Sequence, residues 1–177
     1  MRINLIIKAV VIGFAILSSF SLRAEEYHLG AGDLLSILVF GEEDLTLKEV
    51  RVSTKGSISF PLLGDMSVKN MTTQQLETLL TNRLLDGYLK KPEVSVSVLE
   101  YRQFYVHGEV KKPGGYPYTS DLTVEKAIVL AGGLTERASK GKITILRENS
   151  PSETPVTAGL NVTVNPSDVI TVGESFF

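Results

Sequence analysis

His28 and His107 are the only histidines in a chain of 177 residues that has no cysteine. A zinc centre needs several nitrogen or sulfur ligands at short spacings, so these two residues do not suggest one. A hydrolase would need a base beside a nucleophile, yet no Gly-x-Ser-x-Gly element presents a serine to His107. That histidine is expected to be a half-buried strand residue. Glu42-Glu43-Asp44 is the densest acidic cluster. Paired carboxylates hydrolyse glycosides when they flank a cleft, but adjacent ones in a loop read as a solvated turn. Gly30-x-Gly32 lacks the third glycine of a dinucleotide loop, and Lys111-Lys112-Pro113-Gly114-Gly115 lacks the Gly-Lys-Ser/Thr ending of a phosphate loop. Both read as turns. Neither a cofactor nor a metal is called for.

The aromatic residues offer a different chemistry. Tyr101, Phe104, Tyr105, Tyr116 and Tyr118 fall within eighteen residues, and exposed rings are natural platforms for sugar faces. Alternate residues of a strand point to opposite faces, so some of these rings must be core and only one or two are open to a ligand. Tyr101, Tyr105, Tyr116 and Tyr118 are the candidate glycan contacts.

The elements that carry these residues form two similar series. Gly30-Ala31-Gly32-Asp33 is a turn feeding the apolar run Leu34 to Phe40, which reads as a strand buried on both faces. Val50-Arg51-Val52 and Ile58-Ser59-Phe60 alternate about Thr54 to Ser57, as a hairpin would, and Pro61 to Asp65 then breaks the ladder. Thr72 with Gln75 makes a capping box, Met71 can staple onto Leu76, and Leu76, Leu79, Leu80 and Leu84 share one helical face that ends near Gly87. Val94-Ser95-Val96-Ser97-Val98 alternates strictly, so one face is apolar and the other carries hydroxyls. In the second series Tyr105 to Val110 is a strand, Thr123 caps a helix with Val124, Ala127, Ile128 and Ala131 inside, and Gly132-Gly133 closes it. Ile143 to Leu146, Val156 to Val164 and Val169 to Val172 are further strands. Asp168-Val169-Ile170-Thr171-Val172 echoes Asp33-Leu34-Leu35-Ser36-Ile37, the same device of a turn before a buried strand. The fold class is therefore α+β: two small modules, each a sheet with one main helix.

Composition limits the partners. Arg2 and Lys8 precede an apolar run from Ala9 to Leu17, and Ser18, Ser19 and Ser21 lead to Ala24. This is the layout of a secretory signal peptide over residues 1–24, with cleavage between Ala24 and Glu25. The run is nine residues, short against the roughly 20 that span a bilayer. Removing residues 1–24, with Arg2, Lys8 and Arg23, lowers the formal net charge from -2 to -5. An acidic mature chain is a poor ligand for nucleic acid, which demands a surplus of Lys and Arg. Without cysteine there is neither a disulfide nor a cysteine-borne lipid.

In combination, "YHLGAGDLLSILVFGEEDL", "VSTKGSISFPLLGDMSVKNMTTQQLETLL", "YVHGEVKKPGGYPY" and "TVEKAIVLAGGLTERA" resemble the outer-membrane polysaccharide export family, the Wza-like proteins. Residues 25–102 look like the polysaccharide export domain, with Gly32, Asp33, Gly56, Phe60, Pro61 and Gly64 at motif positions. Residues 103–177 look like a soluble-ligand-binding β-grasp (SLBB) domain, with Gly108, Glu109, Pro113, Gly114, Gly132, Gly133 and Asp168. The resemblance implies a non-enzymatic periplasmic subunit, associated with the outer membrane, in a homo-oligomeric ring. An octamer is among the ring sizes it allows. It further implies an inner-membrane polysaccharide co-polymerase or tyrosine kinase that delivers capsular or exopolysaccharide to the ring. The chain lacks the further β-grasp domain and C-terminal helix of longer members, so a separate outer-membrane β-barrel is expected to provide the exit. Phe176 and Phe177 are expected to pack on their own domain or a neighbouring subunit rather than to begin an anchor. The rival readings are a monomeric periplasmic glycan-binding module and a glycan-modifying enzyme using Asp33, Glu42 or Glu109.

Overall fold

A computed structural model describes residues 27–148 and 154–175. The calls on Ala24, Glu25, Phe176 and Phe177 lie outside these residues. The described fold is α+β, with two hydrophobic cores that divide the chain between Val96 and Phe104.

In the first module β1 (Leu34–Val39) is the central strand, with β2 (Leu47–Arg51) and β5 (Val94–Glu100) antiparallel on its two edges. Between them lie β3 (Ser57–Phe60) and β4 (Gly64–Ser67), a separate two-stranded ribbon, and helix α1 (Thr73–Leu85). The capping box forms as its residues predict: the Gln75 amide donates to Thr72 Oγ1 at 3.2 Å, and the Thr72 amide donates to Gln75 Oε1 at 3.0 Å. These bonds satisfy two of the amides that a helix start leaves open. Leu76, Leu80 and Leu84 are fully buried against Leu35, Ile37 and Phe60 of the same core.

Two expectations are corrected here. β1 is buried on one face only: Leu35, Ile37 and Val39 are inside, while Leu38 and Phe40 are exposed. Among the described residues a single helix covers this three-stranded sheet and no layer lies above its other face, so the apolar run at β1 continues onto open surface. The expected hairpin of 50–52 with 58–60 also does not form. Instead the Val52 amide donates to the Asp33 carbonyl at 2.8 Å, which draws β2 onto β1. β3 pairs with β4, so the Pro61 segment turns the ladder rather than breaking it. Pro61 presets the second position of that turn and Leu62 takes the positive φ, 64°, that the third requires.

The second module is a five-stranded sheet in the order β7-β6-β10-β8-β9. Its strands are β6 (Phe104–Gly108), β7 (Gly114–Tyr116), β8 (Ala138–Leu146), β9 (Val156–Thr157) and β10 (Val169–Glu174). β10 runs parallel to β6 and antiparallel to β8, so the chain between them crosses over. Helix α2 (Val124–Leu130) belongs to that crossover and packs Val124, Ala127 and Ile128 into the core with Ile143, Ile145 and Ile170. Thr123 caps its start. At its end the Gly133 amide donates to the Ile128 carbonyl and the Gly132 amide to the Val129 carbonyl, both at 2.9 Å, with φ of +88° and +81°. This pair of bonds closes the last turn and needs residues tolerant of left-handed backbone. The strand expected over 156–164 shortens to Val156–Thr157. Beyond it the chain leaves the sheet edge to serve α2, whose Val124 and Glu125 amides donate to Val162 and Leu160. Among the described residues no helix is long and apolar enough to cross a membrane.

Gly108 lies tightly against Val172 of β10. A Cβ built there would stand 2.2 Å from the Val172 carbonyl oxygen, and φ is +85°. Gly114, by contrast, faces open space. Gly108→Ala is expected to lower unfolding free energy by at least about 2 kcal/mol, from left-handed strain plus the clash. Gly114→Ala should stay within about 0.5 kcal/mol. Urea unfolding of the two variants measures the difference.

Candidate functional site

Asp33 and Asp168 occupy equivalent places in the two modules, each wholly buried at the entrance to a strand. Asp33 Oδ2 accepts from the Gly30 amide at 2.8 Å, and Asp168 Oδ2 accepts from the Asn165 amide at 2.7 Å. In both, a carboxylate ties off the backbone of the turn three residues upstream, as an aspartate in such turns does. The echo between the two sequence segments is thus a repeated hydrogen-bonding device.

The two aspartates differ in their cations. Arg147 Nη1 approaches Asp168 Oδ2 at 3.9 Å. At Asp33, Tyr27 Oη donates to Oδ2 at 2.6 Å, Arg102 Nη1 donates to Oδ2 at 3.2 Å, and the Arg102 amide donates to Oδ1 at 2.9 Å. Both carboxylate oxygens are committed, so Asp33 is a structural anchor. Arg102 stands at the junction of the modules with its side chain only 13% exposed. Toward the first module it also donates to Tyr27 Oη at 2.7 Å. Toward the second it donates from Nε to Ser167 Oγ at 2.8 Å and from Nη2 to Glu148 Oε2 at 3.1 Å. A planar guanidinium serves this purpose because its donors leave in fixed, divergent directions. The missing side chain of Gly30 makes room for it: a Cβ there would lie 2.5 Å from Arg102 Nη1. Burial, and then the hydrogen bond to Asp33, push the Tyr27 hydroxyl well above its ordinary range. It therefore keeps its proton and remains a donor throughout the physiological range.

Three of the four tyrosines singled out in the sequence line a cleft of about 810 Å³ beside this clamp. Tyr101 packs edge-on between Tyr27 and Tyr118, at centroid distances of 4.7 and 5.3 Å. Tyr105 is the open ring, 48% exposed. Tyr116 turns toward the core onto Phe104, and its hydroxyl donates to the Lys112 carbonyl. Arg51 and Glu100 pair at 3.2 Å on the cleft wall, and Arg51 also donates to the Gly32 carbonyl.

The remaining motif residues serve turns and close approaches. Gly32 has φ +98°, and Gly56, at φ +75°, lets Lys69 pass with its Cβ 2.6 Å from where a side chain would begin. Phe60 is buried, and Pro61 and Gly64 form the β3–β4 turn. Pro113 and Gly114 lie in the β6–β7 hairpin. Glu109 Oε2 accepts from Thr135 Oγ1 at 2.5 Å, which ties the end of β6 to the loop before β8. His107 Nε2 lies 2.9 Å from Thr171 Oγ1 on an exposed face, and Glu42, Glu43 and Asp44 are exposed in a 3-10 turn. Arg102 is the residue that sequence reading passed over. Its signal was slight, one cation between the last residue of an alternating strand and the first of the next module.

The sequence is similar to known families and proteins. The family described as "Polysaccharide biosynthesis/export protein" matches residues 22–99, and the SLBB domain matches residues 103–156. The exopolysaccharide production protein ExoF of Rhizobium meliloti is 38% identical over 68% of this chain and 31% of its own length. The EPS I polysaccharide export outer membrane protein EpsA of Ralstonia solanacearum is 28% identical over 85% of this chain and 47% of its own length. The polysialic acid transport protein KpsD of Escherichia coli is 28% identical over 70% of this chain and 23% of its own length. The chain thus spans less than half the length of each of these relatives.

The buried pair yields a sharp contrast. Removing one partner of a buried, hydrogen-bonded ion pair costs about 3–5 kcal/mol, because the other charge is left without compensation. Asp33→Ala is expected to reach that range in urea unfolding. Arg51→Ala, which breaks an exposed pair, should cost less than about 1 kcal/mol. An Asp33→Ala variant as stable as Arg51→Ala would show that the clamp is not under load.

With an export domain and an SLBB domain in series, joined at Arg102, this chain belongs to the Wza-like polysaccharide biosynthesis/export family.

Proposed function

We propose that this chain is a periplasmic subunit of a polysaccharide export complex, in which several copies form a conduit that carries capsular or exopolysaccharide toward an outer-membrane exit. The observation that carries the reading is the run of the two family domains in sequence, both matched and both folded around their own cores. The names of the relatives, an exopolysaccharide production protein, an export outer membrane protein and a polysialic acid transport protein, support the same cargo class. Subunit contacts are supported by apolar side chains left on the surface. Leu38, Phe40 and Leu99 lie on the first sheet or at its end, and Val129 and Leu130 on α2. Each is at least 40% exposed, and such groups gain by burial against a neighbour. In this reading an inner-membrane co-polymerase or tyrosine kinase feeds the polymer from below, and a separate outer-membrane β-barrel completes the path. The subunit acts on the polymer by confinement, with no bond made or broken. Of the carboxylates an enzyme reading would use, Asp33 and Glu109 are engaged by structural donors, and Glu42 stands exposed at the start of the 3-10 turn.

The cleft beside Arg102 favours one alternative, a monomeric periplasmic module that binds glycan without exporting it. Deleting the gene while measuring surface and periplasmic polymer separately distinguishes them. The conduit predicts loss of surface polysaccharide with retention inside the cell envelope, restored by the intact gene. Unchanged surface polymer in the deletion strain would refute it.

A further inference from the structure

We propose that the cleft at the module junction is a saccharide-binding subsite, in which Tyr105 is the platform for a pyranose face and Gln103, Thr119 and Ser120 meet its hydroxyls. The proposal rests on the export reading for the source of the ligand and on the cleft itself for its chemistry. At about 810 Å³ the cleft falls within the size range of ligand sites. Its walls supply a half-exposed aromatic ring, an amide and two hydroxyls, the combination that suits a ligand with apolar ring faces and polar edges. The charges on its wall offset one another: Arg51 pairs with Glu100, and Arg102 pairs with Asp33 and Glu148. A phosphate or an acidic peptide would need an uncompensated cation, so the cleft suits a polyhydroxylated ligand better than a strongly charged one.

The position of Tyr105 is set by what is missing opposite it. Gly115 on β7 pairs with Tyr105 across the β6–β7 ladder. A Cβ on Gly115 would stand 3.0 Å from Tyr105 Cε1 and 2.7 Å from Gln103 Oε1. The ring and the amide therefore both lie over the bare backbone of Gly115, side by side on the cleft wall. Of the other tyrosines, Tyr101 and Tyr118 are held in edge contacts and shape the wall, leaving Tyr105 as the ring with a free face.

The test uses the chain containing both modules and oligosaccharides released by mild acid hydrolysis from the surface polysaccharide of the producing cell. Because the chain has no tryptophan, tyrosine fluorescence reports binding directly. Saturable binding is expected. Tyr105→Ala should weaken it by about tenfold or more, Tyr105→Phe should retain most of it, and Gly115→Val should weaken it by pushing the Tyr105 ring and the Gln103 amide out of place. Thermal unfolding of Tyr105→Ala should match the parent, which separates a lost platform from a lost fold. Wild-type affinity in both Tyr105→Ala and Gly115→Val, or no saturable binding to the parent, overturns the subsite. If the deletion strain has lost its surface polymer while the fragments fail to bind, the subsite falls and the export reading stands. An intact surface coat in that strain sinks the export reading and this assignment with it.

Discussion

A carboxylate with no exposure to water must be neutralised, and the group that neutralises Asp33 comes from the boundary between the two modules. Much of the architecture follows from that requirement. Asp33 closes the turn that starts β1, and β1 is the strand on which β2 and β5 are laid. The same guanidinium that satisfies it reaches Ser167 and Glu148 in the second module. The anchor of the first sheet is thereby also the fastening between sheets. Buried ion pairs add little net stability, since desolvation offsets most of the attraction. The role of this one is orientation: it holds Tyr27, against which Tyr101 and then Tyr118 pack, and Arg102 lines the cleft.

Local signals were legible in the sequence wherever one residue's chemistry decides its neighbour's backbone. Thr72 with Gln75, Thr123, and the Gly132-Gly133 pair mark the helix ends that form. The repeated Asp33 and Asp168 segments mark the two strand entrances. Pairing choices were less legible, because they depend on partners distant in sequence. The segment at 50–52 looks ready to fold back on 58–60, yet the Asp33 carbonyl captures the Val52 amide and assigns that strand to β1. Leu34 to Phe40 reads as doubly buried because hydrophobicity alone cannot count the layers above a sheet. Of the site, the aromatic cluster drew attention from sequence, while the clamp that organises it did not. A single arginine has no periodicity to betray it.

Each module on its own is small, and the surface it leaves is suited to being shared. Apolar side chains remain on the open face of β1 and on α2, and hydroxyls of Ser36, Ser95 and Ser97 line the strands beside Leu38. Buried carboxylates hold the frame. Under the proposed export function the rest of this distribution is coherent: the exposed apolar groups would serve contacts between copies, and the hydroxyls and rings would hold sugar weakly enough to let it leave.

The claim on which this account depends is that Arg102 fixes how the two modules sit together. Residual dipolar couplings measured separately for the first and second modules report that relation directly. In the parent chain both sets should fit one alignment tensor, and in Arg102→Met the two tensors should diverge while each module keeps its own fold. If Arg102→Met retained a single common tensor, the clamp would not be what orients the modules, and the account would be contradicted.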